Sequence, residues 1–240
     1  MTLLILGGGA LGEQACRLAE AAGIHATVVD EPSPAADFVL PATEDESLLR
    51  GLSGENVLFD KTAWALASSR LASDAFLRER GIPVPEYFPG GSEPYIVKPD
   101  RGSFGRGIWV TEDFCEVGGA VNAGFVTQEE LPGSVWSVCV LGTPGGYTAY
   151  APARLTFDGL RRRAAAECSA PPEEKALKET ALQIAGAMAL RGILEVEAIF
   201  HQGVWKVIDL NARLPMLTPD AVLAETGVNL LSELIDVYKS

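Results

Sequence analysis

The chain has 240 residues, 48% hydrophobic and 21% charged, enough to bury a core as one large domain or two to three small ones. A net charge of −13 argues against nucleic acid or an anionic membrane as partner. The four cysteines, Cys16, Cys115, Cys139 and Cys168, form no C-x-x-C and no short framework, as in reduced cytosolic proteins. The N-terminus lacks the basic region and cleavage site of a signal peptide, and no run is long enough to cross a bilayer, so a cytoplasmic location is expected.

Leu3 to Leu6 is an apolar run of the kind that forms a strand buried on both faces. A helix follows through Ala22, with Leu11, Ala15, Leu18 and Ala22 as its apolar stripe and Gly23 closing it. His25 to Val29 reads as a second strand, ending at Asp30. The pattern Gly7-x-Gly9-x-x-Gly12 with Asp30 matches a dinucleotide-binding fingerprint, in which glycines admit a pyrophosphate and the acid holds a ribose. Such a turn also opens substrate-binding units that never meet NAD. The turn-rich stretch Glu31 to Pro41 and a single short helix near Glu46–Leu52 leave too few strands for a full dinucleotide domain. Val57 to Asp60 is expected as a strand, and about Thr62 to Arg80 as one helix ended by Gly81. Ile82-Pro83-Val84-Pro85 cannot continue it, which places a domain boundary there.

Tyr95 to Lys98 reads as a strand, followed by a loop carrying Gly102, Gly105 and Gly107 and a strand from Ile108 to Val110. Glycines let backbone N–H groups cradle a phosphate, and Lys98 adds a point charge at the loop's entry. This is not a Walker A loop, in which the lysine follows the glycines and a helix begins. An ordinary hairpin with a flexible turn has the same pattern. Phe125 to Gly133 fits a hinge that hydrogen-bonds an adenine edge, and equally an exposed hairpin. Val135 to Leu141 and Ala153 to Asp158 are expected strands. Arg161-Arg162-Arg163 is either a solvated loop or a place where a carboxylate or phosphate is held. A helix from Pro171 through Arg191 carries a core stripe of Ala176, Leu177, Ala181, Ile184, Ala185 and Met188.

Leu194 to Pro219 then reads as two strands around His201-Gln202-Gly203. Strand alternation puts Glu195 and Glu197 on one face, and Asp209 and Asn211 on one face with Arg213 just beyond. A hairpin lets the two faces coincide. Hard oxygen donors of this kind suit Mg²⁺, although acidic strand ends are also commonly just solvated. The only histidines, His25 and His201, sit at a strand end and a turn, and no G-x-S-x-G is present, which leaves little room for a nucleophilic triad. Leu230 to Tyr238 is a last helix.

In this order the chain resembles the ATP-grasp superfamily of carboxylate–amine ligases, over nearly its whole length. Within it, Val57-Leu58-Phe59-Asp60, Gly81-Ile82-Pro83-Val84-Pro85, Ile96-Val97-Lys98-Pro99, Val196-Glu197-Ala198-Ile199-Phe200, Asn211-Ala212-Arg213-Leu214-Pro215, Thr218-Pro219 and Thr226 to Leu231 are similar to the pyrrolysine-biosynthesis ligases, which join 3-methylornithine to the side-chain amine of lysine. The resemblance implies an α/β (α+β) ATP-grasp fold. A small, truncated Rossmann-like domain (1–84) would precede two α+β subdomains that clasp ATP: a small one with the glycine loop (85–133) and a large one with the metal strands (134–240). It implies ATP with Mg²⁺ or Mn²⁺ and small amino-acid substrates (3-methyl-D-ornithine or D-ornithine, and L-lysine), without nucleic-acid or membrane partners, and it allows a homodimer.

By the same resemblance Lys98 binds ATP phosphate, and Ser103, Gly105, Arg106 and Gly107 close over the phosphates. Gln128, Glu129 and Leu131 sit in the adenine hinge. Glu197, Asp209 and Asn211 ligate the metal, and Arg213, with Lys98 the catalytic pair, holds the acyl phosphate or the tetrahedral intermediate. Asp158 and Glu195 contact an amino-acid substrate. The departures are specific. Arg70 stands where the superfamily has a second phosphate lysine, Asp209 replaces the more usual Glu, and Val135 lies near the place of a ribose-binding Glu. A strand-helix-strand segment is missing between Ala42 and Asn56. The alternatives are an ATP-grasp ligase for another amino acid or peptide, a non-catalytic ATP-binding module and, last, a dehydrogenase built on the Gly7–Gly12 turn.

Overall fold

A computed structural model describes residues 1–31, 36–102, 105–159 and 162–239. The chain opens with β1 (Thr2–Leu6), α1 (Gly9–Ala21), β2 (His25–Val29) and β3 (Phe38–Pro41). β1 is flanked by parallel neighbours on both sides, in the order β2-β1-β3, which explains why Leu3, Ile5 and Leu6 are all buried. The turn into α1 is tight: Gly7 has φ +100°, and a Cβ on Gly12 would lie 2.6 Å from the Gly7 carbonyl oxygen. These glycines therefore serve helix-on-strand packing. β3 corrects the turn-rich reading of its stretch, because Phe38, Val39 and Leu40 are buried beside β1 and Pro41 comes only at the strand's end. Conversely, the strand expected over Val57 to Asp60 is reduced to a single parallel bridge between Val39 and Val57.

Three helices follow: α2 (Glu46–Gly51), α3 (Lys61–Ala67) and α4 (Arg70–Glu79). The one helix expected over Thr62 to Arg80 is thus two. The break is set from a distance. Ser69 caps α4 by accepting from the Ala72 N–H, and its hydroxyl donates to Asp100 at 2.8 Å, while the Leu71 N–H donates to the same carboxylate at 2.9 Å. Asp100 thereby satisfies first-turn amides that a continuous helix would have paired internally, and it brings Arg70 under the glycine loop.

A second sheet comprises β4 (Tyr95–Lys98), β5 (Trp109–Thr111) and, after α5 (Phe114–Asn122), β6 (Val126–Glu129). It is antiparallel, ordered β5-β4-β6. The sequence hides α5 behind the pair Gly118-Gly119; an Asp113 cap and the burial of Val117 and Ala120 hold it. The third sheet contains β7 (Val135–Thr143), β8 (Gly146–Ala149), β9 (Ala153–Asp158) and β10 (Arg162–Cys168). After α6 (Glu174–Ala187) it gains β11 (Gly192–His201) and β12 (Val204–Asn211), giving the antiparallel order β10-β9-β7-β11-β12 with β8 on β7. Arg162 and Arg163 belong to β10, not to a solvated loop. α7 (Thr218–Thr226) and α8 (Leu230–Lys239) complete the chain, and α8 packs on α1, β7 and β11.

The main buried cluster runs from Leu6 and Val39, through Trp64 and Leu77, to Val138, Leu177, Leu194 and Val207, so the first and third sheets share a core. Among the described residues no helix is long and apolar enough to cross a membrane. The joint between β7 and the segment entering β11 is close-packed: a Cβ on Gly142 would collide with the Leu190 carbonyl, whereas one on Gly145 meets only the Thr143 hydroxyl at 3.7 Å. Gly142→Ala is expected to destabilise the fold by about 3 kcal/mol, and Gly145→Ala to leave it unchanged within ~0.5 kcal/mol. Urea unfolding monitored by circular dichroism compares the two; equal midpoints contradict the packing described.

Candidate active site

A cavity of about 240 Å³ is lined from one side by Ile96, Lys98, Gly102 and Gly105, and from the other by Ile199, Ile208, Asp209, Asn211 and Arg213. The β11–β12 hairpin explains the second wall. From its tip the pairing is regular, His201 with Val204 through Ala198 with Val207. Continued unchanged, that register would set Glu197 against Ile208 and turn Asp209 to the opposite face. Instead the register shifts between Glu197 and Ala198, so that Glu197 faces Asp209 and Glu195 faces Asn211. Ile208 is the extra residue of a β-bulge. It brings Glu197, Asp209 and Asn211 together on one face.

Each carboxylate here already faces a cation. Arg163 reaches from β10 to form a close ion pair with Glu197, pairs with Glu195 at 3.1 Å, and donates to the Met216 carbonyl at 2.6 Å. Glu195 is fully buried and also accepts from Ser137 and Thr218, at 2.7 Å each. Asp209 lies 3.7 Å from Arg70, whose guanidinium donates to the Pro99 and Gly102 carbonyls at 2.8 and 3.2 Å, bracing the neck of the glycine loop. Arg213 pairs closely with Glu44, which also meets Arg106 at 3.3 Å. Burial pushes the Glu44 carboxyl up, against the pull of Arg213 and Arg106. Burial likewise lowers Arg213, against the pull of Glu44, Glu195 and Asp209.

On the facing wall, Lys98 donates to the Gln128 side-chain oxygen at 3.3 Å. Asp74 lies behind it; burial raises its carboxyl, opposed by the Tyr87 hydrogen bond and the Lys98 charge. Glu129 forms a close ion pair with Lys206 of β12 and accepts from the Glu86 N–H at 3.1 Å. Leu131, Val135, Leu155 and Ile199 form a small apolar cluster next to this pair, joined by Phe157 and Ile208.

Lys98, Arg70, Gly105, Glu129, Leu131, Glu197, Asp209, Asn211 and Arg213 all line one cavity. Others are placed differently. Asp158 is exposed at the end of β9 and does not reach the cavity. Glu195 lies behind Arg163 with no exposed surface, where a substrate cannot touch it. Gln128 is buried beneath Lys98 instead of forming a hinge edge. Arg106 turns outward to Glu44, and Gly107 packs on the Pro99 ring. Ser103 lies outside the described residues. Sequence reading missed Glu44, Asp74 and Lys206 and saw Arg163 only as part of a basic run. That run, in so acidic a chain, was the one available signal.

The donor set suits a hard divalent cation. Among the described residues no three His, Cys, Asp or Glu side chains form a metal site by themselves. Two carboxylates and the Asn211 amide instead share one strand face, already matched to positive charge, and Mg²⁺ is commonly held by one or two carboxylates together with substrate phosphates.

A family model described as ATP-grasp domain matches residues 67–216. The 3-methyl-D-ornithine–L-lysine ligase of Methanosarcina acetivorans is 31% identical over 215 residues, 87% of this chain and 58% of that protein. Its Methanosarcina mazei counterpart is 26% identical over 273 residues, 99% of this chain and 72% of that one. Among solved structures, the biotin carboxylase of Campylobacter jejuni superposes with a TM-score of 0.81 at 16% identity, covering 99% of this chain and 70% of that one.

The Lys206–Glu129 pair makes a pH-dependent contribution. Burial pushes the Glu129 carboxyl up, but the Lys206 and Glu86 hydrogen bonds outweigh it and hold it below its ordinary value of 4.5. A carboxyl lowered in the folded state adds stability that is complete above the unfolded value and lost as pH falls through the folded one. Lys206→Met is therefore expected to move acid unfolding to higher pH. An unchanged midpoint in an acid titration followed by circular dichroism contradicts the pairing.

Proposed function

The chain belongs to the ATP-grasp domain family, and from that premise we propose that it is an ATP-dependent, ADP-forming carboxylate–amine ligase. Its proposed substrates are those named for its relatives, 3-methyl-D-ornithine and L-lysine. The observation that carries this reading is the convergence of Lys98 and the neck of the glycine loop, from one wall, with Glu197, Asp209, Asn211 and Arg213, from the other. The division at 84/85 and 133/134 is part of the proposal, supported by each of the three sheets lying within one segment.

The apolar stretch formed by Ile96, Leu131, Ile199 and Ile208 takes the adenine, and Glu129 and Leu131 border it. Lys98 and the backbone around Gly105 face the phosphates, with Arg70 bracing that loop from below. Glu197, Asp209 and Asn211 hold Mg²⁺ or Mn²⁺, which when bound neutralises phosphate oxygens as charge develops. A carboxylate oxygen of the ornithine attacks the γ-phosphorus in line, and ADP leaves with the electrons of the broken P–O bond. The lysine ammonium loses one proton to solvent, the neutral amine attacks the acyl carbon and gives up a second proton as the C–N bond forms, and phosphate departs carrying the attacking oxygen. Arg213, partly buried at the cavity edge, balances negative charge on the transferring group and on the tetrahedral oxyanion. The chain contributes positioning and charge, with no covalent enzyme intermediate.

With ATP, Mg²⁺, 3-methyl-D-ornithine and L-lysine, the protein is expected to release ADP and phosphate and form one amide, and to release little without either amino acid. Lys98→Ala and Asp209→Asn are each expected to slow ADP formation at least about 100-fold while melting cooperatively. Coupled-enzyme ADP detection and product mass check this. ATP binding without turnover for any amino-acid pair contradicts ligation, and full activity in both variants contradicts the site.

A further inference from the structure

Behind Lys98 lies a buried polar pair, Asp74 and Gln128, that the reaction itself does not use. Asp74 on α4, Gln128 on β6 and Lys98 on β4 are 7%, 2% and 6% exposed. The Tyr87 hydroxyl donates to Asp74 Oδ2 at 2.7 Å, and Gln128 Nε2 donates to the same oxygen at 2.7 Å. Lys98 Nζ donates to Gln128 Oε1 at 3.3 Å. A carboxylate only accepts and an ammonium only donates. The amide between them is therefore fixed in one orientation, with its NH₂ toward Asp74 and its oxygen toward Lys98.

We propose that Asp74 is a positioning residue for Lys98: by fixing the orientation of the Gln128 amide, it aims the lysine ammonium at the ATP phosphates. The inference rests on the reading of Lys98 as a phosphate ligand. The physical need is clear. A lysine is a point charge on a flexible four-carbon stem, and its rotamer freedom must be given up when phosphate binds. A buried acceptor set beside the ammonium before ATP arrives removes part of that cost. Among buried polar groups, an amide free to turn would present either its oxygen or its NH₂, and only the first holds an ammonium. Asp74 decides which, from a helix whose start is itself fixed by the loop residue Asp100.

The test is direct ATP binding to the full chain in the presence of Mg²⁺, by calorimetry. Lys98→Ala is expected to weaken binding at least about tenfold; unchanged binding overturns the phosphate reading and the relay with it. In Asp74→Leu no acceptor remains for the Gln128 NH₂, so that amide is free to turn and present its own NH₂ to the ammonium, with an expected loss of about tenfold. The double variant Asp74→Leu/Gln128→Glu returns an acceptor to Lys98. It keeps the wild-type net charge, and a carboxylate presents an oxygen to the ammonium whichever way it turns. Its affinity is expected to recover to within about twofold of wild type. A purely structural role for Asp74, tying α4 to Tyr87, predicts no such recovery. Should Asp74→Leu not fold, Gln128→Met removes the relay at similar volume, with the same loss of about tenfold expected. Wild-type affinity in Asp74→Leu or Gln128→Met alongside a weakened Lys98→Ala, or a folded double variant no tighter than Lys98→Ala, overturns the proposal.

Discussion

Side chains on a strand alternate, so a slip of one residue in a hairpin moves a whole row to the other face. The β11–β12 hairpin leaves its Gln202-Gly203 turn in a register that would put Glu197 and Asp209 on opposite faces. The bulge at Ile208 supplies the missing residue, and from there inward Glu197 faces Asp209 and Glu195 faces Asn211. In a bulge two residues oppose one, and here Ile208 and Asp209 both line the cavity. One irregular residue thus sets an apolar side chain and a carboxylate at adjacent positions of the cavity wall. It also creates a demand, because the carboxylates gathered on that face must be neutralised.

A buried charge costs several kcal/mol unless it is paired and hydrogen-bonded. The chain meets that demand with cations drawn from distant segments. Arg163 of β10 answers Glu195 and Glu197, Arg70 of α4 lies beside Asp209, Lys206 of β12 answers Glu129 of β6, and Arg213 answers Glu44. Arg163 shares a sheet with its partners, whereas the other pairs connect segments that no single sheet unites, so the cavity's electrostatics and the chain's tertiary organisation are one construction. They also gather guanidinium groups and carboxylate oxygens at one cavity.

What could be read from the sequence follows the range of the forces involved. The E-x-E and D-x-N rows, the strand ending in Lys98 and the glycine turn at Gly7–Gly12 depend on neighbours a few residues away, and local periodicity reveals them. The bulge does not show, since nothing in Lys206 to Asp209 marks Ile208 as the extra residue. The break before Arg70 depends on Asp100, thirty positions on, and the strand at Phe38–Pro41 on the buried edge of β1. Two glycines conceal α5. Glu44 and Asp74 carry no local signal, because an acid becomes part of a site only through the cations that tertiary packing brings to it.

The central claim is that this cavity transfers the γ-phosphoryl group of ATP to a carboxylate oxygen. The most direct measurement uses 3-methyl-D-ornithine labelled with ¹⁸O in its carboxyl group, together with ATP, Mg²⁺ and L-lysine, followed by mass analysis of the released phosphate. An acyl-phosphate route predicts one ¹⁸O in each phosphate formed with product. Unlabelled phosphate accompanying amide formation would contradict the account.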